Sequence, residues 1–308
     1  MEGQTEKQRI DLTGFSDKVQ QLKEQIAAVI VGQEQIVDLL LTAILANGHI
    51  LIEGVPGVAK TLLAKLTARL ISADFSRIQF TPDLMPSDVL GTTVFNMKTN
   101  DFDFHPGPVF ADIVLVDEIN RAPAKTQAAL FEVMEERQAS IDGKTYNLGE
   151  FYTILATQNP VEQEGTYKLP EAQLDRFLMK ISIGYPSLEE EIAILERHHT
   201  NTRLPILEDI RPILTKEELL DMRKLTDRVF VEPSLLRYIA LIVQQTRTSK
   251  AIYLGASPRA SVAMLQSSKA YALLQGRDFI TPEDIKFVAP YILQHRLILT
   301  AEAEMEGL

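Results

Sequence analysis

The stretch Gly54-Val-Pro-Gly-Val-Ala-Lys60-Thr61 decides the fold class because of what stands on either side of it. The apolar run at residues 49–53 predicts a short buried strand, and the amphipathic run at residues 62–70 predicts a helix. A strand, a glycine-containing loop, Lys-Thr and a helix are typical of a phosphate-binding loop, in which backbone N–H groups and the helix N-terminus surround the phosphates. A plain turn before a core helix is the alternative, and the flanking pattern favours the phosphate loop.

Particular residues of this loop have expected tasks. Lys60 is expected to reach the β- and γ-phosphate oxygens, and the Thr61 hydroxyl to help hold Mg²⁺. Ala59 stands where the motif usually has glycine, and we expect the loop to tolerate the methyl group if the φ angle of Ala59 is negative. The expected nucleotide-binding residues of the loop are Gly54, Val55, Pro56, Gly57, Val58, Ala59, Lys60 and Thr61.

The composition is that of an ordinary soluble globular protein. Of 308 residues, 45% are hydrophobic and 24% are charged. No apolar run approaches the roughly 20 residues that span a bilayer, and the first residues lack the apolar core of an export signal, so we expect a cytoplasmic protein. The absence of cysteine excludes disulfides, thiolate metal sites and cysteine nucleophiles, and the five histidines lack metal-ligand spacing.

The negative charge is concentrated in the first part of the chain. Residues 1–184 contain 16 basic and 25 acidic residues, against 15 and 17 in residues 185–308, for a formal net charge of −11. No long basic run is present, which disfavours an extended nucleic-acid surface. A few basic loop residues inside a ring pore would escape this argument.

Strand and helix patterns divide the chain into three parts. We predict a flexible tail at residues 1–15, an α/β domain at 16–184 and a smaller all-α domain at 185–308. In the α/β domain strands alternate with helices, which indicates a mostly parallel sheet covered on both faces. The predicted strands are residues 49–53, 77–80, 113–116, 153–156 and 178–183, and the first predicted helices are 16–30 and 33–46.

Two short segments interrupt this alternation. Residues 94–104, with Thr99-Asn-Asp at their middle, predict a hairpin or loop, and residues 139–148, with Asp142-Gly143 at the turn, predict a hairpin. In the third part, Ser257-Pro258 and Thr281-Pro282 predict helix starts.

A pair of carboxylates follows the third predicted strand. Because the carboxyl ends of parallel strands face the ligand crevice, Asp117 and Glu118 are expected to point towards the phosphate loop. Asp117 would support Mg²⁺ and Glu118 would polarise the attacking water. Asn159, after the fourth predicted strand, would hold that water, although asparagine before proline is also an ordinary turn signal.

Two arginines are candidates for contacts with phosphate. Arg176, just before the last predicted strand, is a candidate arginine finger that reaches a neighbouring subunit, and a surface arginine paired with Asp175 or Glu171 is the alternative. Arg259 lies in the first turn of a predicted helix, where a cation opposes the helix dipole. We expect Arg259 to contact nucleotide phosphate of its own chain from the second domain.

Taken together, these motifs resemble an AAA+ ATPase, and three stretches resemble the MoxR family in particular. They are Asp117-Glu-Ile-Asn-Arg-Ala-Pro123, Ala156-Thr-Gln-Asn-Pro160 and Glu164-Gly-Thr-Tyr-Lys-Leu-Pro-Glu-Ala-Gln-Leu-Asp-Arg-Phe177. The phosphate loop, including its Ala59, also resembles that of the family. The resemblance covers roughly residues 16–300 and implies a P-loop NTPase core followed by a helical lid.

The resemblance also implies roles for single residues. Lys60 and Thr61 take the Walker A roles, Asp117 and Glu118 the Walker B roles, Asn159 that of sensor 1, Arg176 that of the arginine finger and Arg259 that of sensor 2, while Val31 and Gly32 line the adenine pocket. Arg121 is a second candidate for the subunit interface. ATP and Mg²⁺ are the implied cofactors. A ring of identical subunits, usually a hexamer, is the implied assembly.

The resemblance implies a chaperone-like remodeller that helps to mature partner protein complexes or to insert metals into them. A nucleic-acid motor or loader is the alternative, but the two predicted hairpin segments offer only Lys98 and Lys144 as cations. A scaffold that binds ATP and hardly hydrolyses it is a third possibility, which Glu118 and Asn159 argue against. The sequence does not identify the client or the ring size, nor which arginine is the principal one acting between subunits.

Overall fold

The computed structural model describes residues 10–55, 59–159, 167, 169–199 and 207–307. The helices are α1 (Thr13–Val29), α2 (Glu34–Leu45), α3 (Lys60–Leu70), α4 (Pro86–Leu90), α5 (Ala124–Glu136), α6 (Glu171–Leu174), α7 (Leu188–His199), α8 (Lys216–Arg228), α9 (Pro233–Thr248), α10 (Pro258–Leu274), α11 (Pro282–Leu293) and α12 (Ala301–Met305). The strands are β1 (Ile50–Gly54), β2 (Phe75–Gln79), β3 (Gly91–Asn96), β4 (Asp101–Pro106), β5 (Ile113–Asp117), β6 (Gln138–Ile141), β7 (Lys144–Asn147), β8 (Thr153–Gln158), β9 (Met179–Ile183), β10 (Ile252–Leu254) and β11 (Ile298–Leu299).

A five-stranded parallel sheet forms the centre of the first domain. Its strand order is β2-β5-β8-β1-β9, and every neighbouring pair is parallel. Every residue of β5 is buried, as expected for a strand whose two faces are both covered. Because the strands are parallel, Gly54, Asp117 and Gln158 end at one edge of the sheet, and this edge is the one that positions the site.

Both faces of the sheet are covered by apolar side chains. One face packs with α1, α2, α3 and the lid in a single apolar cluster, and the other packs with α5. Helix α1 begins at Thr13, so the prediction of a tail through residue 15 was wrong at its end. Phe15 is buried and starts the apolar stripe that continues with Val19, Leu22 and Ile26, which explains the earlier start. Residues 1–9 lie outside the described part.

The two predicted hairpins are confirmed. Strands β3 and β4 pair antiparallel, as do β6 and β7. The two hairpins contact each other through Phe104 and Tyr146, whose rings stack with centroids 4.0 Å apart. Beyond this contact, Phe95 and Phe102 form an edge-on aromatic pair that is about half exposed at the outer end of the first hairpin.

The C-terminal part is a helical lid, as predicted, with one small antiparallel sheet (β10 and β11) added. Thr281 and Asp284 form a capping box at the start of α11. The lid docks on the first domain through α10 against α2 and through Arg223, which donates from Nε to the carbonyl of Ile44 at 2.9 Å. Within the described residues, no helix has both the length and the apolar character needed to cross a membrane.

Candidate functional site

The phosphate loop connects the end of β1 to the first turn of α3. Lys60 begins α3, and its Nζ donates to the carbonyl of Gly54 at 2.7 Å, so the ammonium group lies across the mouth of the loop. Val55 packs against the apolar core, and Thr61 follows Lys60 in the helix. Pro56, Gly57 and Val58 lie outside the described residues. Burial lowers the pKa of Lys60, and the charges of Asp117 and Glu118 oppose this effect.

Ala59 has a left-handed backbone, with φ 56° and ψ 19°. The condition under which the loop was expected to tolerate alanine, a negative φ, is therefore not met. Ala59 is the residue before α3, and the left-handed region is the conformation that glycine adopts without a Cβ clash. For alanine it costs about 1–2 kcal/mol, which the neighbouring structure has to offset.

Asp117 lies at the end of β5 and is 8% exposed. Its Oδ1 accepts a hydrogen bond of 3.1 Å from the Thr157 hydroxyl, and its Oδ2 forms a 2.6 Å ion pair with Nε of Arg77. The Thr157 oxygen also accepts from the backbone N–H of Glu118 at 3.0 Å. Thr157 therefore fixes both acidic residues relative to β8.

Glu118 follows with a left-handed φ of 56°, which turns the chain away from the sheet. Its Oε2 accepts from Gln79 Nε2 at 3.1 Å and forms a 2.9 Å ion pair with Nε of Arg121. A non-glycine residue in this conformation is strained, and such strain is concentrated at functional sites. Arg121, a candidate for the subunit interface from the sequence, contacts Glu118 of its own chain.

Sequence analysis missed Arg77, Gln79 and Thr157. Arg77 and Gln79 project from β2, which pairs with β5 so that Gln79 stands opposite Asp117. Only the strand order brings them to the carboxylates, and the sequence does not give that order. Thr157 had a usable signal, because it directly follows the predicted strand at residues 153–156. Asn159 directly follows β8, the other neighbour of β5, and so reaches the same edge of the sheet.

A cavity of about 350 Å³ lies beside the loop between α1 and α2. It is lined by Val31, Gln33, Ile183, Tyr185, Glu190 and Tyr291, among others. Gly32, with φ 67°, cannot be replaced without strain, because a Cβ there would lie 1.8 Å from Oε1 of Glu190. The side-chain oxygen of Gln33 is buried and has no hydrogen-bond partner among the described residues. Gln33 also belongs to the wall of this cavity, so the wall includes one buried acceptor that is unpaired within the described residues.

Arg176 and Arg259 bind the same carboxylate. Nε of Arg176 lies 2.9 Å from Oε2 of Glu135, and Nη2 of Arg259 lies 2.9 Å from Oε1. Arg176 thus pairs with neither Asp175 nor Glu171, the partners considered from the sequence. The two arginines come from different domains and line one cavity of about 570 Å³.

This cavity lies at the start of β1, whereas the phosphate loop lies at its end. Asn47, Gly48 and His49, which precede β1, line the cavity together with Arg259. Five strand residues separate the two places, which is roughly 15 Å at the usual rise of a strand. In this arrangement Arg259 is paired with Glu135 near the start of β1 and not with the phosphate loop of its own chain, and its expected contact with the nucleotide stays a prediction. The lid holds Arg259 there because α10 packs on α2 and α11 packs on β9.

The donor set at the phosphate edge fits Mg²⁺ bound together with a phosphate ligand. Mg²⁺ usually retains several waters and takes one or two carboxylate or hydroxyl oxygens in addition to phosphate oxygens. Asp117 and Thr61 supply a carboxylate and a hydroxyl at this edge. Among the described residues there is no group of three or more His, Cys, Asp or Glu side chains that could hold a metal ion.

Comparisons with known proteins agree with this arrangement. Residues 49–179 match the family model described as "ATPase family associated with various cellular activities (AAA)", and residues 244–308 match that of the AAA lid domain. The chain is 48% identical to protein YeaC of Bacillus subtilis over 92% of its length and 88% of that protein. It is 44% identical to Chaperone MoxR1 of Mycobacterium tuberculosis over 91% of its length and 75% of that protein.

A solved structure gives the same result for the fold. A crystal structure from Cytophaga hutchinsonii, whose protein is described as a candidate ATPase, superimposes with a TM-score of 0.88 at 43% identity. The match covers 96% of this chain and 92% of the other. The parallel sheet and the lid are thus shared features of the fold, and the chain belongs to the MoxR family of AAA+ ATPases.

Proposed function

We propose that this protein binds and hydrolyses ATP in a ring of identical subunits, in which Arg176 and Arg259 of one subunit complete the site of the next. The observation that carries the proposal is the separation of the two sets of residues. One chain contains a phosphate loop with two acidic residues at one end of the sheet and a pair of arginines at the other. Neither end has all the groups that phosphoryl transfer uses, and two ends from neighbouring chains do.

Binding of ATP uses the loop and the cavity beside it. The backbone N–H groups from Gly54 to Thr61 and the ammonium group of Lys60 surround the phosphates. The cavity beside Val31 and Gly32 holds the adenine, and Gln33 accepts a hydrogen bond from its amino group. The N-terminus of α3 adds the positive end of a helix dipole.

Hydrolysis uses the residues that follow β5 and β8. Glu118 accepts the proton of the attacking water, and Arg121 and Gln79 hold its carboxylate. Asn159 orients the water without competing for the proton. Thr61 and Asp117 would hold Mg²⁺, which would supply positive charge to the bound phosphates. Thr157 holds Asp117 and the backbone of Glu118 in register throughout.

The arginine pair supplies positive charge to the neighbouring site. A terminal phosphate carries about two negative charges near neutral pH, against one on Glu135. The ion pairs to Glu135 are partly exposed and each worth at most about 1 kcal/mol. The arginines can therefore exchange the carboxylate for a phosphate at small cost, and their charge counts most in the transition state.

The ring is proposed to remodel partner proteins, helping to mature their complexes or to insert metals into them, and to work in the cytoplasm. The name of the relative MoxR1, a chaperone, supports this class of role. The exposed apolar residues Val94, Phe95, Met97 and Phe102 on the first hairpin are a surface suited to protein clients.

The test mixes two variants that are each inactive alone. Glu118→Gln lacks the base and keeps its arginines, and Arg176→Ala lacks an arginine and keeps its base. In mixed rings some interfaces join an intact Glu118 to an intact Arg176, so ATPase activity is expected to recover on mixing. No recovery in rings shown by native mass spectrometry to be mixed would contradict the shared site.

A further inference from the structure

The segment that carries Arg176 is fastened to the lid by one buried arginine. Arg296 follows α11, and its side chain is 4% exposed. Its Nε donates to Oδ1 of Asp175 at 2.6 Å, and its Nη atoms donate to the carbonyls of Asp175, Phe177 and Leu178 at 3.3, 2.7 and 3.1 Å. All of these acceptors lie within two residues of Arg176.

Asp175 connects the same segment to a second lid element. Its other oxygen, Oδ2, accepts a hydrogen bond of 3.1 Å from the hydroxyl of Ser257. Ser257 is the residue before α10, the helix that carries Arg259 in its first turn. One carboxylate therefore joins the end of α11, the start of α10 and the residue beside Arg176.

The guanidinium N–H groups of Arg296 donate to acceptors of the protein itself, namely one carboxylate and several backbone carbonyls. A rigid guanidinium fork that satisfies several carbonyls fixes their relative positions better than a flexible ammonium group does. A buried charge needs such partners, because leaving it unpaired is costly. Arg296 lies with Arg176 and Arg259 along the cavity near the start of β1, so its direct contacts are with the segment that carries Arg176 and not with the described residues of the phosphate loop.

We propose that Arg296 and Asp175 are positioning residues that make Arg176, Arg259 and the lid one rigid unit. The orientation of the lid in one subunit then sets how closely both arginines approach the phosphate held by the next subunit. This inference rests on the shared site of the proposed function, and it adds that the lid of one subunit controls hydrolysis in the site of its neighbour.

The first test is Asp175→Asn, which keeps the shape of the side chain and removes its charge. A misplacement of about 1 Å can cost up to about a hundredfold in rate, so kcat at saturating ATP is expected to fall about ten- to a hundredfold. KM, and the Kd for ATP of isolated subunits, should not change, because the phosphate loop lies at the other end of the sheet. Arg296→Lys is expected to act in the same direction.

The matched control is Arg277→Lys. Arg277 forms an ion pair with the buried Asp284 inside the lid and contacts neither Arg176 nor Asp175. The Arg277→Lys substitution is expected to lower the unfolding temperature of the protein and to leave kcat per assembled ring unchanged. If Arg277→Lys lowered kcat as much as Asp175→Asn and Arg296→Lys do, loss of lid stability would explain all three effects. That result would overturn the proposal.

The second test places the defect in a particular site. Mixed with Glu118→Gln, the Asp175→Asn subunit contributes an intact phosphate loop and Glu118, and its partner contributes intact arginines. Activity is expected to recover, as for Arg176→Ala. If Arg176→Ala recovers on mixing and Asp175→Asn does not, the positioning role is wrong and the shared site stands. If neither recovers in rings shown to be mixed, the shared site fails first.

Discussion

The two ends of the parallel sheet solve opposite electrostatic problems. At the carboxyl end, the acidic residues Asp117 and Glu118 face the ammonium group of Lys60 and are further paired with Arg77 and Arg121. At the other end, Arg176 and Arg259 face one carboxylate, that of Glu135. The first end has the groups that bind phosphate and remove a proton, and the second has surplus positive charge.

The separation of the two ends determines which nucleotide site the lid can affect. The lid contributes Tyr291 to the proposed adenine cavity at the first end of the sheet. Its proposed phosphate contact, Arg259, lies at the second end. A substitution at the first end should affect the site of its own subunit. A substitution at the second end should affect the site of a neighbour.

Loss of the base is expected to have the largest effect. Glu118→Gln should lower kcat by about a thousandfold or more, because the amide cannot accept a proton, and it should keep ATP affinity. Steady-state turnover and calorimetry measure the two quantities. Glu132→Gln, the same change at an exposed position of α5, is the control. Turnover near the normal rate in a folded Glu118→Gln protein would assign the base to another residue.

Loss of the loop cation is expected to act on binding. Lys60→Ala should weaken the binding of ATP by at least about a hundredfold, because it removes a charge from a partly buried phosphate site. Calorimetry with isolated subunits measures this effect, and Lys65→Ala, on the exposed side of the same helix, is the control. A near-normal affinity of Lys60→Ala for ATP would contradict the assignment of this loop as the phosphate-binding loop.

Loss of Arg259 tests whether the second end of the sheet affects nucleotide binding in its own subunit or hydrolysis in the assembled ring. Arg259→Ala should leave the affinities of isolated subunits for ATP and ADP unchanged, because it lies at the second end. In assembled rings it should lower kcat about tenfold or more through lost transition-state charge. Arg237→Ala, at an exposed position of α9, is the control. Weaker ATP binding by the isolated Arg259→Ala subunit would show that the lid reaches its own nucleotide.

A smaller effect is expected from acid at the second end. His49 is buried there, accepts from the backbone of Ile154 at 3.0 Å and contacts the carbonyl of Met134 at 3.1 Å; burial lowers its pKa to about 4. Its unfolded pKa is about 6.5, so its contribution to stability is present above pH 6.5 and is lost as the pH falls towards 4. Between pH 7.5 and 5 the free energy of unfolding should fall by about 2 kcal/mol from this group alone.

Urea unfolding of wild type and His49→Gln at both pH values measures this effect. The variant starts from lower stability, and it should lose less on acidification because the titrating group is absent. His295, whose pKa burial lowers to about 3, remains in both proteins and so cancels in the comparison. Equal acid sensitivity of the two proteins would contradict the assignment to His49.

The sequence predicts the elements of this fold better than their arrangement. The strands, the two hairpins and the helix after the phosphate loop follow from periodicity and turn residues, and so do Lys60, Asp117 and Glu118. Strand order does not follow from periodicity, and it alone brings Arg77 and Gln79 beside the carboxylates. The docking of the lid depends on packing between residues far apart in the chain, so the pairing of Arg259 with Glu135 does not follow from the sequence. The left-handed Ala59 reflects a local geometry that overrides the preference of the residue.

The shared carboxylate also determines how a single subunit behaves before it meets another. Two unpaired arginines on an open surface would attract any polyanion in the cell, including nucleic acid and free nucleotide. Because Glu135 occupies both guanidinium groups, a lone subunit presents one excess charge in place of two. The Glu135 carboxylate thus competes with other anions for the two arginines. This competition favours binding of a correctly aligned phosphate over binding of unrelated anions.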